Sequence, residues 1–424
     1  MRLKTIFTAS LAITLLALCA ATTTRAQVTV IKAGKLVNPE TGTTAVNQVI
    51  IVEGGKIKAV GAGLAVPAGA SVIDLSGATV LPGLFDAHSH LCSLVEVRWD
   101  SGDFLVHSLN WRTGMRALIG VRNAREMLEA GFTTVRDVGN AGDYADADLA
   151  KAIGWEMVPG PTMIVAGRII APFGGQFVKH VPKQVLDNPE YLFADSRDEL
   201  QKAVRENIYY GARVIKLVTD DKRYIYTADD IRFVVEEAGR AGIKVAAHCV
   251  TRQGALNAAQ AGVASIEHGW QMDQEIFELM KKNNVALVGT DFTLRSLEAL
   301  GFSPEGARRN HGQKVERLRR AYQAGVTIVF GTDVMSGLAG ETRGTLAVGY
   351  IDSFAEAGVS NKDTLRAMTT NAARLLGVER ERGSIAPGMY ADIIATPENP
   401  LDDIQTLKKV SFVMKNGQTY RHGK

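Results

Sequence analysis

The sequence predicts an α/β protein: a (β/α)8 barrel of the TIM type, with a small β-sandwich domain built from both chain termini. Three observations predict it. Both ends of the chain read as short alternating strands separated by turn residues. The middle reads as apolar strands alternating with amphipathic helices. The strands of the middle end in histidines, a lysine and an aspartate, and a barrel gathers its chemistry at those ends.

Residues 1–26 stand outside the fold. MRLK is a basic start, TIFTASLAITLLALCA is an apolar run too short for a membrane span, and TTTRAQ offers a cleavage site after Ala26. They read as a signal peptide, so the mature protein is expected in a periplasm or the medium. Leu18 before Cys19 argues against a lipoprotein. Residues 27–79 hold VTVIKAGKLV, QVIIVEGGKIKAVG and SVIDLSGATV, with NPETG and EGGK as turns. Residues 388–424 hold ADIIATPENP and VSFVMKNGQTYRHG, where KNGQ is an Asn-Gly hairpin signal. These two stretches form the sandwich.

Residues 80–387 form the barrel. Its eight strands are TVLPGLFDAHSHL, TTVRDVG, TMIVAG, RVIKLV, KVAAHC, SIEHG, VALVGT and TIVFGTD. Between them lie helical segments such as SRDELQKAVRENIYYG, TADDIRFVVEEAGRAG and QKVERLRRAYQAG, most opening at a Ser, Thr or Asp cap and closing at Gly. Eight such units over about 250 residues is the count for a closed barrel.

Composition bounds the partners. The 424 residues are 46% hydrophobic and 22% charged, which gives a globular chain ample core. Residues 1–26 carry Arg2, Lys4 and Arg25 and no acid, so the remainder has 48 − 3 = 45 basic against 45 acidic residues. A formal charge of zero gives no electrostatic footprint for nucleic acid or an anionic membrane. Beyond residue 26 only Cys92 and Cys249 remain, too few for a disulfide framework; two packed thiols are expected.

LFDAHSHLC carries the first chemical signal. His88 and His90 are two apart in a strand, so both imidazoles project from one face, as a metal ion requires. Two solvated turn histidines would be the plain alternative, but the other strand ends weigh against it. Strand four carries Lys216, strand five ends at His248, strand six at His268 and strand eight at Asp333. Lys216 is out of place in a core strand unless its charge is satisfied, and a salt bridge to a buried acid is one way. The other is chemical. Burial depresses a lysine pKa, a neutral amine can add carbon dioxide, and the resulting carbamate is an anion able to bridge two divalent metals. Two such ions would hold a hydroxide between them and polarise a substrate carbonyl. The donor types suit zinc; manganese or cobalt would fit as well.

At this point the chain resembles the amidohydrolase superfamily, and within it the imidazolonepropionase-like and Xaa-Pro dipeptidase-like group that includes ochratoxin-degrading amidases. The matching pieces are LPGLFDAHSHL, AGFTTVRDVG, GARVIKLV, VAAHC, SIEHG, VFGTD, TTNAARLLG, GSIAPGMYADII and NPLDDI, which span nearly all of the chain after residue 26. The resemblance implies that His88, His90 and Asp333 hold one metal, that His248 and His268 hold a second, and that carboxylated Lys216 bridges them. It implies that Asp333 is general base and then acid. Imidazolonepropionases proper have a mononuclear site without a bridging lysine, so Lys216 argues for the binuclear, peptidase-like branch. The implied activity is hydrolysis of a small-molecule dipeptide or N-acyl amino acid by the bridging hydroxide, ochratoxin-type amides included. Family habit implies a homo-oligomer.

One departure bears on substrate. Many relatives carry GGHG after strand three, whereas this chain reads IIAPFGGQFVKH, with Gln176 at that point and His180 four residues on. Tyr224, Tyr226 and Arg295 are further substrate candidates, as is Arg223; an arginine would pair a substrate carboxylate. Arg136 and Asp137 are expected to pair inside the mouth. His107 and His311 read as surface, His422 as tail, and Trp270 is the tryptophan most placed to line a pocket. An esterase, lactonase or phosphotriesterase could use the same metals, and a pocket cation for an α-carboxylate would tell them apart. A non-catalytic scaffold would be expected to have lost ligands, and all six positions are filled here.

Overall fold

The computed structural model describes residues 28–139, 142–176, 181–186, 190–221 and 224–423. Residues 1–26, expected from the sequence to be a signal peptide, lie outside the described residues, as do His180 and Arg223. Four strands come first: β1 (Thr29–Asn38), β2 (Thr43–Glu53), β3 (Lys56–Ala62) and β4 (Ser71–Pro82). The barrel follows as β5 (Leu84–Ser89), β6 (Phe132–Asp137), β7 (Thr162–Val165), β8 (Ile169–Ala171), β9 (Tyr191–Phe193), β10 (Val214–Val218), β11 (Lys244–Cys249), β12 (Ser265–His268), β13 (Ala286–Val288) and β14 (Ile328–Val329). The chain closes with β15 (Ile393–Thr396), β16 (Phe412–Lys415) and β17 (Gln418–His422).

The two ends of the chain share one seven-stranded sheet, ordered β17-β16-β15-β4-β1-β2-β3. It rolls over on itself: Ile57 N donates to Met389 O at 2.8 Å and Ala391 N to Gly55 O at 2.9 Å, so the β3 edge meets the chain entering β15. Ile31, Ile50, Ile57, Val80, Ile393 and Phe412 fill the enclosed face. The β16–β17 turn is the Asn-Gly hairpin expected from KNGQ, with φ +50° at Asn416 and +78° at Gly417.

Eight stations close the barrel. β5-β6-β7 form one parallel ladder and β14-β13-β12-β11-β10 another. Arg213 N to Val165 O at 2.8 Å joins β7 to β10, and Ala87 N to Phe330 O at 2.9 Å joins β5 to the end of β14. β8 continues the third station beyond a bend at Gly167, whose φ is +70°, and β9 adds to its edge. Expected helix starts recur: Ser196 and Thr227 each form a capping box with Glu199 and Asp230. The helix read as QKVERLRRAYQAG begins earlier, at Pro304, with Ser303 as its cap.

The stretch TVLPGLFDAHSHL is two strands rather than one. Pro82 has no N–H to extend β4, and a Cβ on Gly83 would fall 2.1 Å from Thr133 Oγ1, so the chain turns there from the terminal sheet into the barrel. Cys92 and Cys249 are free and buried. Among the described residues no helix is long and apolar enough to cross a membrane.

Candidate metal centre

His88, His90, Lys216, His248, His268 and Asp333 line one cavity of about 350 Å³ at the C-terminal mouth of the barrel. β5 delivers the first two histidines. His88 Nδ1 shares a 2.6 Å hydrogen bond with Glu267, and His90 Nδ1 shares one of 2.5 Å with the Gly139 carbonyl. Each contact occupies one ring nitrogen and leaves Nε2 for the cavity, the pattern of a ligand oriented from behind. His90 Nε2 lies 3.3 Å from Asp333 Oδ1, and His88 Nε2 lies 3.8 Å from the same oxygen. His268 Nδ1 is bound to Thr290 Oγ1 at 2.8 Å, and the His248 and His268 ring centroids are 4.5 Å apart.

Backbone strain aims two of these groups. His268 has φ +65° and Asp333 has φ +55°, the left-handed region that costs a non-glycine residue about 1–3 kcal/mol. The reason shows in β12. Ser265 and Glu267 face inward, so in a regular strand His268 would face outward. The left-handed turn re-aims it into the mouth, and neighbouring side chains Glu267 and His268 both serve the site.

The electrostatics follow from burial. Burial, reinforced by nearby Lys216, holds the His88 imidazole well below its usual pKa, and burial with His248 does the same for His268. Both shifts favour the neutral imidazole, the form that binds a metal ion. Burial pushes the Asp333 carboxyl up, but His88 and His90 outweigh it and hold it below the usual range. Burial also pulls Lys216 down to about 8. Its Nζ lies 3.4 Å from His88 Nε2, and no carboxylate among the described residues comes within 4.0 Å, so the buried salt bridge is absent.

The residues fit a divalent cation. Asp333 Oδ1 is buried and faces two imidazole nitrogens without the alignment of a hydrogen bond. His88, His268 and Asp333 each offer a ligand atom within 4.8 Å of the others. That trio takes members from both ligand groups implied by the family resemblance.

The supporting contacts differ from expectation. Arg136 does not pair with Asp137, because adjacent residues in β6 face opposite ways. Arg136 reaches inward to Glu267 at 2.7 Å, Ser265 Oγ at 3.0 Å and the Ala87 carbonyl. Asp137 faces the other way and accepts from Leu91 N at 2.7 Å, fixing the turn after His90. Glu267 was not singled out in the sequence; a carboxylate beside a histidine in an apolar strand was the available signal. Arg343, which holds the His90 carbonyl at 2.6 Å, carries no such signal.

The substrate candidates divide. Gln176 lines the cavity, 3.5 Å from His248 Nδ1, and accepts from the Tyr191 hydroxyl at 3.2 Å. Trp270 lines it too. Tyr226 does not: it is buried, and its hydroxyl donates to the Ala194 carbonyl. Tyr224 stands exposed outside the cavity lining. Arg295 is 63% exposed at its side chain and pairs Glu341 at 2.6 Å, turned from the cavity. An exposed pair of this kind contributes about 0–1 kcal/mol, so Arg295→Ala is expected to keep kcat/KM within about twofold. Steady-state kinetics on the variant check this. His107, read as surface, is fully buried, 3.1 Å from Asp100 and beside Arg116. His311 is anchored to the Phe292 carbonyl and Glu356.

Known proteins share this sequence pattern and fold. The amidohydrolase family model matches residues 79–420. Ochratoxinase from Aspergillus niger is 29% identical over 448 residues, covering 95% of this chain and 88% of that protein. Imidazolonepropionase from Fusobacterium nucleatum is 25% identical, covering 82% of this chain and 84% of that one. The crystal structure of a Xaa-Pro dipeptidase with methionine bound in its active site superposes with a TM-score of 0.81 at 28% identity, covering 93% of this chain and all of that one. With the family model matching the whole barrel and the C-terminal strands of the terminal sheet, the chain belongs to the amidohydrolase family and is a hydrolase of carbon–nitrogen bonds.

Proposed function

We propose that the protein is a binuclear, metal-dependent amidohydrolase that cleaves the amide bond of a dipeptide or N-acyl amino acid and releases the C-terminal residue. The observation that carries this reading is Lys216: a buried lysine, without a carboxylate partner, in the middle of four histidines and an aspartate. Its likeness to a protein named ochratoxinase and to a Xaa-Pro dipeptidase holding methionine favours an amide with an amino acid on one side.

Two divalent ions, zinc by donor type, would supply carbonyl polarisation and a water of lowered pKa. His88, His90 and Asp333 would hold one and His248 and His268 the other. Lys216 Nζ, adding carbon dioxide and losing a proton, becomes an anionic carbamate between the two groups. Asp333 takes the proton of the attacking water and gives it to the leaving nitrogen, a role its ionised carboxylate suits. Residues 1–26 would direct export, with Gln27 as the mature N-terminus, and the protein would act as a homo-oligomer.

The test is amino-acid release from a library of dipeptides and N-acyl amino acids, with enzyme loaded with zinc and bicarbonate. Release from a subset is expected, and Lys216→Ala should lower both metal content and rate. Silence with two metals bound would shift the reading to esters, lactones or phosphotriesters. Full activity and two metals in Lys216→Ala would remove the carbamate.

A further inference from the structure

The cavity wall carries two lysines. Lys216 belongs to the candidate metal centre; the other is Lys314, midway along the helix Pro304–Gln323. Lys314 is only 6% exposed. Its Nζ donates to Asn310 Oδ1 and lies 4.5 Å from the Trp270 ring centroid and 5.7 Å from that of Phe292. No carboxylate oxygen among the described residues comes within 4.0 Å of it. Asp291, on the neighbouring strand end, is already engaged by Arg317 at 2.6 Å. A buried ammonium without a counter-charge is costly, and burial draws the Lys314 pKa down to about 8.

Ring contacts and one amide oxygen would suffice for a purely structural lysine. Placement argues for more. Lys314, Asn310 and Trp270 also line a second, outer cavity of about 660 Å³ that shares this wall. Arg308, Arg309 and Arg320 stand around that outer cavity, and no carboxylate among the described residues lies within 4.0 Å of Arg308 or Arg309. Unpaired positive charge beside a cleft concentrates anions there. Lys314 lies at the point where those anions would meet the metal-side cavity. On the Lys314 side the wall is apolar, with Phe104, Phe292, Leu297, Leu300 and Phe302, while the acidic lining residues Glu190 and Asp221 belong to the same cavity.

We propose that Lys314 binds the free carboxylate of the substrate, so that the site selects amides of amino acids with a large apolar side chain over neutral amides. The inference rests on the amide-hydrolase reading above and adds the specificity residue that Arg295 does not provide.

The experiment compares the best library substrate with its C-terminal carboxamide, in zinc-loaded wild type, Lys314→Met and Lys314→Arg. Wild type is expected to prefer the free carboxylate by about 100-fold in kcat/KM, the scale of a buried charge pair. In Lys314→Met the preference should fall to within about threefold, with the loss in KM, while Lys314→Arg keeps most of it. For the carboxylate substrate, kcat/KM should also fall with ionic strength, and the Arg308→Ser/Arg309→Ser variant should flatten that slope. A preference that survives in a folded Lys314→Met protein overturns the inference. If wild type cleaves no amide, the amide reading fails separately. Calorimetric binding of N-acetyl-L-phenylalanine against its carboxamide then decides: carboxylate-dependent binding lost in Lys314→Met upholds the anion site, and equal binding by both proteins overturns it.

Discussion

Asp333→Asn should lower kcat about 1,000-fold, the size of a lost general acid–base group. The substitution preserves shape and one oxygen, yet the amide cannot accept the proton of water or return it to the leaving nitrogen. Asp333 is held where this matters: its left-handed backbone turns it inward, and His90 Nε2 lies 3.3 Å from its Oδ1. KM should change little, because the loss is in the transition state. Metal content must be measured alongside, since Oδ1 is also a candidate ligand. If the variant keeps its metals and kcat within tenfold of wild type, another group carries the proton.

Arg136→Met should cost about 3–5 kcal/mol of stability, the penalty for leaving one partner of a buried ion pair uncompensated. Glu267 is fully buried, and Arg136 supplies its counter-charge at 2.7 Å while also holding the Ala87 carbonyl. The damage should reach the site, because the other Glu267 oxygen orients His88 at 2.6 Å. Losing such support typically weakens metal affinity 10- to 100-fold. Urea denaturation and zinc titration read the two effects. The Arg136→Met/Glu267→Gln double variant should recover part of the stability, because it removes the stranded charge. A single variant as stable as wild type would show that water reaches Glu267.

Much of this was legible in the sequence for a simple reason. Strand ends in a barrel all face one mouth, so locating His88, His90, His248, His268 and Asp333 at strand ends, and Lys216 within β10, located them in space. What was not legible depends on direction or on distant partners. Arg136 and Asp137 are neighbours in sequence, but the pleat separates them, and their partners lie on β12 and in the turn after β5. His107 looked like a surface residue, yet Asp100 and Arg116 enclose it. Tyr226 looked like a loop side chain until the Ala194 carbonyl claimed its hydroxyl. Lys314 is on a strongly charged helix where one more lysine carries no signal; only packing distinguishes it from Arg308 and Arg309.

The seam where the barrel closes has a consequence in time. His88 and Asp333 are separated by most of the chain, and they meet because Thr332 N and Asp333 N both donate to the His88 carbonyl, at 3.2 and 2.7 Å. Thr332 also grips Asp86 through its hydroxyl at 2.6 Å. The histidines of β5 are thus among the first barrel residues synthesised, while the aspartate they need is among the last. The terminal sheet repeats the pattern, since β4 pairs with β15. Domains form from the N-terminus as a chain grows, and contacts this remote must wait for its end. A growing or truncated chain therefore lacks Asp333 beside His88, and the two meet only when the barrel closes. Any ion held jointly by His88 and Asp333 would have to wait for that closure.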